Sequence, residues 1–213
     1  ISQGWPSPHA APSQRKLLPH IPFAIVAQGL SHYLARPLMF GLVSVVISLF
    51  PALQRSLVAD IPIWLLLPLC LVIFEGIGYG HHVLSHQFQF LWRFAHSPHH
   101  EPESYGTFLA LRVHHLELFV GQMTRSLCLY LLGVEPNVIY IVIAISATCG
   151  VYVHTATSLR FGWINYFVVT PETHISHHED ALRVNYGFGL LTLFDHLGGT
   201  FYYCPGRPPG RLG

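Results

Sequence analysis

Sixteen of the 213 residues are histidine, more than Lys and Arg together, and their spacing suits metal ligation. His82 and His86 stand four apart, His96, His99 and His100 follow, His154 stands alone, and His174, His177 and His178 repeat the spacing of the middle set. On a helix, residues i and i+4 share a face, so the rings of His82 and His86 are expected to converge on one point, and those of the i, i+3, i+4 set to do the same. Thr170 reads as an N-cap with Pro171 in the first helical position, which puts the last set on the first two turns of a helix. Pro98 and Pro102 bracket the middle set, so His96 is expected to end one helix and His99 and His100 to ride a new short one from Ser97. Imidazole nitrogen ligates Zn, Cu, Fe and Ni, and no Cys or carboxylate recurs at matching positions. His82, His86, His96, His99, His100, His154, His174, His177 and His178 exceed what one ion takes and suit two metals with open coordination positions. His9, His20 and His32 read as capping or interfacial residues, and for His81, His115 and His196 that reading weighs as much as a functional one.

The elements that must position these sets are apolar. Residues 37–54 contain no Asp, Glu, Lys or Arg, just enough chain to cross a hydrocarbon core of about 30 Å as a helix. Residues 63–74 start a second run that reaches Gly80 with Glu75 inside it. Residues 116–134, interrupted by Glu117 and Arg125, make a third, and residues 138–153 a cleaner fourth. Residues 17–35, broken by Pro19, His20, Pro22 and His32, read as an interfacial or re-entrant helix. Short connections at 54–60 and 135–137 would turn two hairpins on one side of a membrane. The other side then carries Arg15, Lys16, Arg36, Arg93, Arg112, Arg160, Arg183, Arg207 and Arg211 against Arg55 alone, so the histidine face is expected in the cytoplasm. The expected protein is all-α and integral to a membrane, with about four transmembrane helices and a cytosolic helical cap carrying the histidine sets. Residues 1–36 form a partly interfacial N-terminal segment, 37–201 the membrane domain, and 202–213, rich in Pro and Gly, a flexible tail.

Composition supports that class and argues against others. The chain is 51% apolar and 10% charged, against about 25% charged in soluble domains. A net charge of +1 without a basic run argues against disorder, a coiled coil and nucleic-acid binding. Cys70, Cys128, Cys149 and Cys204 include no C-x-x-C pair and read as small buried hydrophobes rather than disulfides or thiolate ligands. The chain begins at Ile1, which leaves room for an upstream start, and residues 1–16 do not read as a signal peptide. There is no iron–sulfur Cys set, haem-attachment motif or G-x-G-x-x-G fingerprint, so electrons for redox chemistry would come from a separate partner.

In order and spacing, the histidine sets resemble those of the fatty acid hydroxylase and sterol desaturase superfamily, sterol-desaturase-like branch, over residues 79–201. His82-Val83-Leu84-Ser85-His86 matches the H-x3-H box, with Val83 where the superfamily usually has Arg. Leu91-Trp92-Arg93-Phe94 and His96 to His100 match the L-W-x-x … H-x-x-H-H segment. Arg112-Val113-His114-His115-Leu116-Glu117 is similar to R-F-H-P-L-E with His115 in place of Pro, and His154-Thr155-Ala156 resembles H-A-N without the Asn. Thr170 to His178, Asn185-Tyr186-Gly187 and Phe194-Asp195 resemble T-P-x-x-H-x-x-H-H … N-Y-G … D.

The resemblance implies a four-helix membrane anchor, a cytosolic cap holding two Fe ions, dioxygen as co-substrate, and hydroxylation or desaturation of a C–H bond in a sterol-like or fatty-acyl lipid. It implies a lipid substrate entering from the bilayer, a separate electron donor of cytochrome b5-like or ferredoxin type, and residence in the endoplasmic reticulum or bacterial inner membrane. The nine histidines are then the metal ligands, with no catalytic residue assigned beyond the metal centre. His114, Glu75, Glu117, Asn185 and Asp195 become candidates to bind the metals or orient their ligands. Glu172, Glu179 and Asp180 join those acids as groups able to accept N–H bonds from ligand histidines; Glu75, a carboxylate inside an apolar span, is the most telling. Asn185 and Gly187 are expected to form a turn near the metals, and Arg112 to pair with Glu117, structurally or at the surface. Two other readings stay open: a non-redox metal-binding membrane protein of zinc-carrier type, and an inactive relative, motivated by Val83 and the absent Asn.

Overall fold

Pro62, extended at φ −63° and ψ 145°, starts the longest helix, and Phe88, at φ −87° and ψ 116°, ends it. The computed structural model of the chain describes residues 21–30, 33–34, 36–49, 57–102, 105–179 and 186–212. In chain order the elements are α1 (Ile21–Leu30), α2 (Arg36–Leu49), α3 (Ile63–Gln87), α4 (Gln89–Leu91), a π-helical turn (Trp92–His96), α5 (Ser97–His100), a 3-10 turn (Thr107–Leu111), α6 (His115–Leu131), α7 (Pro136–Val153), a second 3-10 turn (Gly162–Tyr166), α8 (Pro171–His177) and α9 (Thr192–Gly198). Among the described residues β pairing is limited to isolated bridges, Val168 with Leu191 and Glu179 with Leu212. The fold is all-α.

The 25 residues of α3 rise about 37 Å and the 18 of α7 about 27 Å. Among the described residues these are the two helices long and apolar enough to cross a membrane. The other expected runs are shorter helices: α6 has 17 residues and α2 has 14, with residues 50–56 outside the described set. Of the expected interfacial stretch, α1 covers Ile21–Leu30.

Leu66, Cys70 and Phe74 repeat every four residues on one face of α3 and pack with Phe40 of α2, Leu129 of α6 and Ile139, Val142 and Ile143 of α7. Trp64, Leu65, Leu69 and Val72 of α3, like Phe119 and Val120 of α6 and Ile141, Ile145 and Val151 of α7, are large apolar side chains left exposed. Helices apolar on their outer as well as their inner face are what a hydrocarbon solvent favours. The α6–α7 turn closes through Gly133 at φ 90°, a left-handed position that glycine takes without steric cost. Its N–H donates to Tyr130 O at 3.0 Å, and that of Val134 to Leu129 O at 3.1 Å.

The opposite end of the bundle gathers the C-terminal turns of α3, the π-helical turn, α5, the start of α6, the end of α7, and α8. His96 ends the π-helical turn and α5 begins at Ser97, as the bracketing prolines predict; π turns are rare and occur mostly at functional sites. Helix α9 docks on α3 at Gly76, where a Cβ would stand 2.7 Å from the Phe194 ring. The cysteines are unpaired thiols; Cys70 is buried, whereas Cys149 and Cys204 are exposed. The expectation that all four are buried therefore fails, because the outer face of α7 and the C-terminal loop are uncovered.

Candidate metal centre

The nine histidines sort into two adjoining groups. Ring nitrogens of His82, His86, His96, His100 and His177 lie within 4.8 Å of one another, as do those of His99, His154, His174 and His178. Nitrogens about 2.0–2.1 Å from a shared ion cannot lie much farther apart than that. The His100 and His178 rings stack across the boundary at 4.4 Å between centroids. Each H-x-x-H-H set is split rather than convergent: His96 and His100 enter one group and His99 the other, and His177 parts from His174 and His178. The helix dictates this. Positions i and i+4 differ by about 40° around the axis, while i+3 is rotated about 60° the other way.

Backbone carbonyls fix the tautomers. His82 Nδ1 is 2.8 Å from Phe188 O, His177 Nδ1 2.7 Å from Tyr186 O and His154 Nδ1 2.6 Å from Gly150 O. A carbonyl only accepts, so each Nδ1 carries the proton and each Nε2 bears a lone pair. His96 Nδ1 donates in the same way to Glu117 Oε1 at 2.8 Å. The bare nitrogens then face one another: His82 Nε2 is 3.1 Å from His96 Nε2 and 3.1 Å from His177 Nε2, and His154 Nε2 is 3.2 Å from His99 Nε2 and 3.1 Å from His174 Nε2. Protons do not relieve the crowding. Burial pushes the pKa of His177 down to about 3 and that of His154 to about 4, and burial with neighbouring imidazoles holds His99, His100, His174 and His178 well below the usual imidazole range.

Both nitrogens of His86 and of His178, and Nδ1 of His174, are buried without a hydrogen-bond partner. Each such orphan costs about 1–3 kcal/mol, and opposed lone pairs add repulsion. A cation in each group would relieve the opposed lone pairs and take up one nitrogen each of His86 and His178, so the donor set fits metal ions.

Two scaffolds hold the rings. Thr170 caps α8: its Oγ1 accepts from Glu172 N at 3.2 Å, and its own N–H donates to Thr173 Oγ1 at 3.1 Å. The same hydroxyl donates to Asn165 Oδ1 at 2.5 Å, and Glu172 gathers Phe161 N, Asn165 Nδ2 and Arg160. Asp195 accepts from Phe188 N at 2.9 Å, Gly189 N at 3.0 Å and Thr200 Oγ1 at 2.7 Å. It thereby braces the loop whose carbonyls orient His82 and His177. Gly187, left-handed at φ 71°, turns the chain between those two carbonyls.

A cavity of about 640 Å3 runs from the histidines into the helix bundle. His82, His96, His99, His154 and His174 line one end, while Glu75, Gln122, Arg125, Tyr140 and Ser146 line the part between α3, α6 and α7.

The fatty acid hydroxylase family model matches residues 67–200, a stretch that holds both histidine groups. The chain belongs to the fatty acid hydroxylase family. It is 33% identical over 141 residues, 65% of this chain and 42% of the relative, to the ornithine lipid hydroxylase OlsE of Rhizobium tropici. It is 29% identical over 156 residues, 66% of this chain and 41% of the relative, to an alternative squalene epoxidase of Phaeodactylum tricornutum. The chain thus spans about two fifths of the length of the curated relatives it matches. No solved structure matches it.

Several site expectations for this fatty acid hydroxylase family chain change with the geometry. His114 joins neither group: it is exposed and caps α6, with Nδ1 accepting from Leu116 N at 3.2 Å. Of the described carboxylates, only Glu117 accepts a histidine N–H through a hydrogen bond seen here. Asp195 acts on backbone instead, and Glu179 takes Arg207 and Gly210 N. Glu75 lies up the cavity, two helical turns before His82. Arg112 pairs with Glu101 at 2.5 Å rather than with Glu117, because Glu117 is turned inward to His96. Asn185 and Asp180 fall outside the described residues. Tyr105, which the sequence did not single out, is buried at 2% exposure, stacks on His154 at 5.7 Å and donates to Val153 O at 2.6 Å.

Proposed function

We propose that this chain is the membrane-embedded core of an O2-dependent lipid hydroxylase with two iron ions, one in each histidine group. The single observation that carries the reading is the set of carbonyl-fixed, bare Nε2 atoms of His82, His154 and His177, held at contact distance from other imidazoles. His82, His86, His96, His100 and His177 hold one ion, and His99, His154, His174 and His178 the other. Bound iron supplies dioxygen activation and the removal of hydrogen from an unactivated C–H bond. The names of both relatives describe oxygen insertion into a lipid, which favours hydroxylation over desaturation. The balance is R–H + O2 + 2 electrons + 2 protons giving R–OH + H2O, with the electrons from a separate cytochrome b5-like or ferredoxin-type donor.

The chain's own residues position and exclude. Tyr186 O, Phe188 O, Gly150 O and Glu117 hold four imidazoles in the metal-binding tautomer. The cavity accepts a lipid between α3, α6 and α7 and brings one carbon to the histidine end, while the apolar walls keep bulk water from the reacting carbon. The remaining spans come from the segments around α2 and α6, and the histidine face lies in the cytoplasm. A zinc carrier would require ligands distributed along a path through the bilayer, whereas all nine histidines sit in two groups at one end.

The deciding experiment is purification in detergent with iron analysis, followed by incubation with bacterial lipid extract, reductant and O2. The expected result is two irons per chain and lipid products heavier by one oxygen. A preparation without iron that leaves the extract unchanged overturns the proposal.

A further inference from the structure

The cavity is not lined as a hydrocarbon tunnel should be. Glu75 and Gln122 are 6% and 8% exposed and border it, yet Glu75 Oε1 and Gln122 Oε1 have no hydrogen-bond partner. The Ser146 hydroxyl reaches the Glu75 carboxyl and the Arg125 charge acts on it, so the unpaired carboxyl oxygen is Oε1 alone. Arg125 is itself engaged, with Nε donating to Gly121 O at 3.1 Å and its guanidinium 4.5 Å above the Phe74 ring. An acyl chain packed here would leave two buried oxygens unpaired, and the cost of that grows as water leaves.

We infer that this polar stretch of the cavity binds a lipid head group that donates O–H or N–H hydrogen bonds, an alcohol or an amine, and so selects the substrate. The inference rests on the lipid hydroxylase reading and names its substrate class. A Glu75 carboxylate only accepts and the Gln122 amide can turn its oxygen to the same side, so a ligand that brings donors pairs with both, whereas an ester or ether oxygen can pair only with the amide N–H. Two helices set the same distance independently. Glu75 precedes His82 by seven residues on α3 and Ser146 precedes His154 by eight across α7, which at the helical rise places the polar stretch about 10–12 Å from the histidines. The substrate's donor group therefore sits about that far from the carbon presented for oxidation. Glu75, Gln122 and Ser146 are specificity-determining residues and touch neither histidine group.

The test is competition against tritiated oleyl alcohol on the purified, iron-loaded protein at fixed detergent, with three probes of like chain length: oleylamine, methyl oleate and 1-octadecene. Oleyl alcohol should bind saturably, oleylamine should compete as well, and methyl oleate and 1-octadecene should be weaker by about tenfold or more, as for sites built to hydrogen-bond a hydroxyl. Glu75→Gln should weaken the amine more than the alcohol, and Gln122→Leu should erase the preference for both with iron content unchanged. Equal competition by methyl oleate or 1-octadecene, or no saturable binding, overturns the inference; this wild-type ranking decides even where a variant does not fold. Iron content of the same sample separates the two levels, because absence of iron defeats the hydroxylase reading whereas two irons without the ranking defeat only this one.

Discussion

His82 and His177 turn unprotonated Nε2 atoms toward each other at 3.1 Å, each ring pinned from behind by a carbonyl of the same loop, Phe188 O and Tyr186 O. Two acceptors at that distance repel unless a cation lies among them. Stripping the purified protein with a chelator should lower its Tm. A metal held at a thousandfold above its Kd stabilises by about 4 kcal/mol, a shift of roughly 10 °C for a chain of this size. Readdition of Fe(II) should restore it. An unchanged Tm after complete removal would mean that the nitrogens need no ion.

Asp195 acts on the same pair from one step farther out. Its carboxylate ties Phe188 N, Gly189 N and Thr200 Oγ1 together, and burial raises its pKa against the lowering effect of those donors. Asp195→Ala releases the loop, so the carbonyls behind His82 and His177 move. Iron affinity at the five-histidine group should drop about 10–100-fold, while the four-histidine group, oriented by Gly150 O, keeps its ion. Dialysis should leave one iron per chain; retention of both would show that the loop does not position the ligands.

The sequence makes much of this legible, and the gaps have physical causes. All nine histidines assemble because i, i+4 spacing on a helix is a geometric statement, and Thr170-Pro171 marks the start of α8 for equally local reasons. The split of each H-x-x-H-H set is just as local, since i+3 rotates away from i+4, and weighing the angles would have shown it. The groups behind the rings are different. Tyr186 O, Phe188 O and Gly150 O are backbone atoms, and any residue type can present a carbonyl. Asp195 misleads for the same reason: a buried acid near a histidine site can orient the histidine or the loop that does so, and only tertiary contact distinguishes them. Glu75 stands out in the sequence as a carboxylate within an apolar run, but that Gln122 and Ser146 meet it across a cavity requires the packing of α3, α6 and α7.

Glu117 is the one described carboxylate seen hydrogen-bonded to a histidine of either group, 2.8 Å from His96 Nδ1. Glu117→Gln keeps an accepting oxygen for His96 Nδ1 but removes the carboxylate's negative charge from behind that ring. Iron content should stay near that of the wild type, turnover should fall about tenfold, and the Mössbauer parameters of one iron should shift. Glu117→Ala removes the acceptor altogether and should cost iron as well, by about 10–100-fold in affinity. Identical spectra and rates in Glu117→Gln and wild type would reduce this contact to packing.

Thr170 tests the other scaffold, because α8 and its C-cap carry histidines of both groups. Its hydroxyl accepts from Glu172 N and donates to Asn165 Oδ1, at 2% exposure, so Thr170→Val leaves a half-buried N–H and a buried amide oxygen without that partner at nearly unchanged volume. Loss of a cap costs about 0.5–2 kcal/mol, and an orphaned buried group about 1–3 kcal/mol more. Thr170→Ser keeps the hydroxyl and should behave close to wild type. In Thr170→Val, denaturation should move to lower temperature and iron should be lost from both groups together, since His177 and the His174 and His178 pair ride on the loosened helix. This differs from Asp195→Ala, which should spare the four-histidine group. Equal stability and iron content in the Val and Ser variants would remove the cap from the account of how the ligands are held.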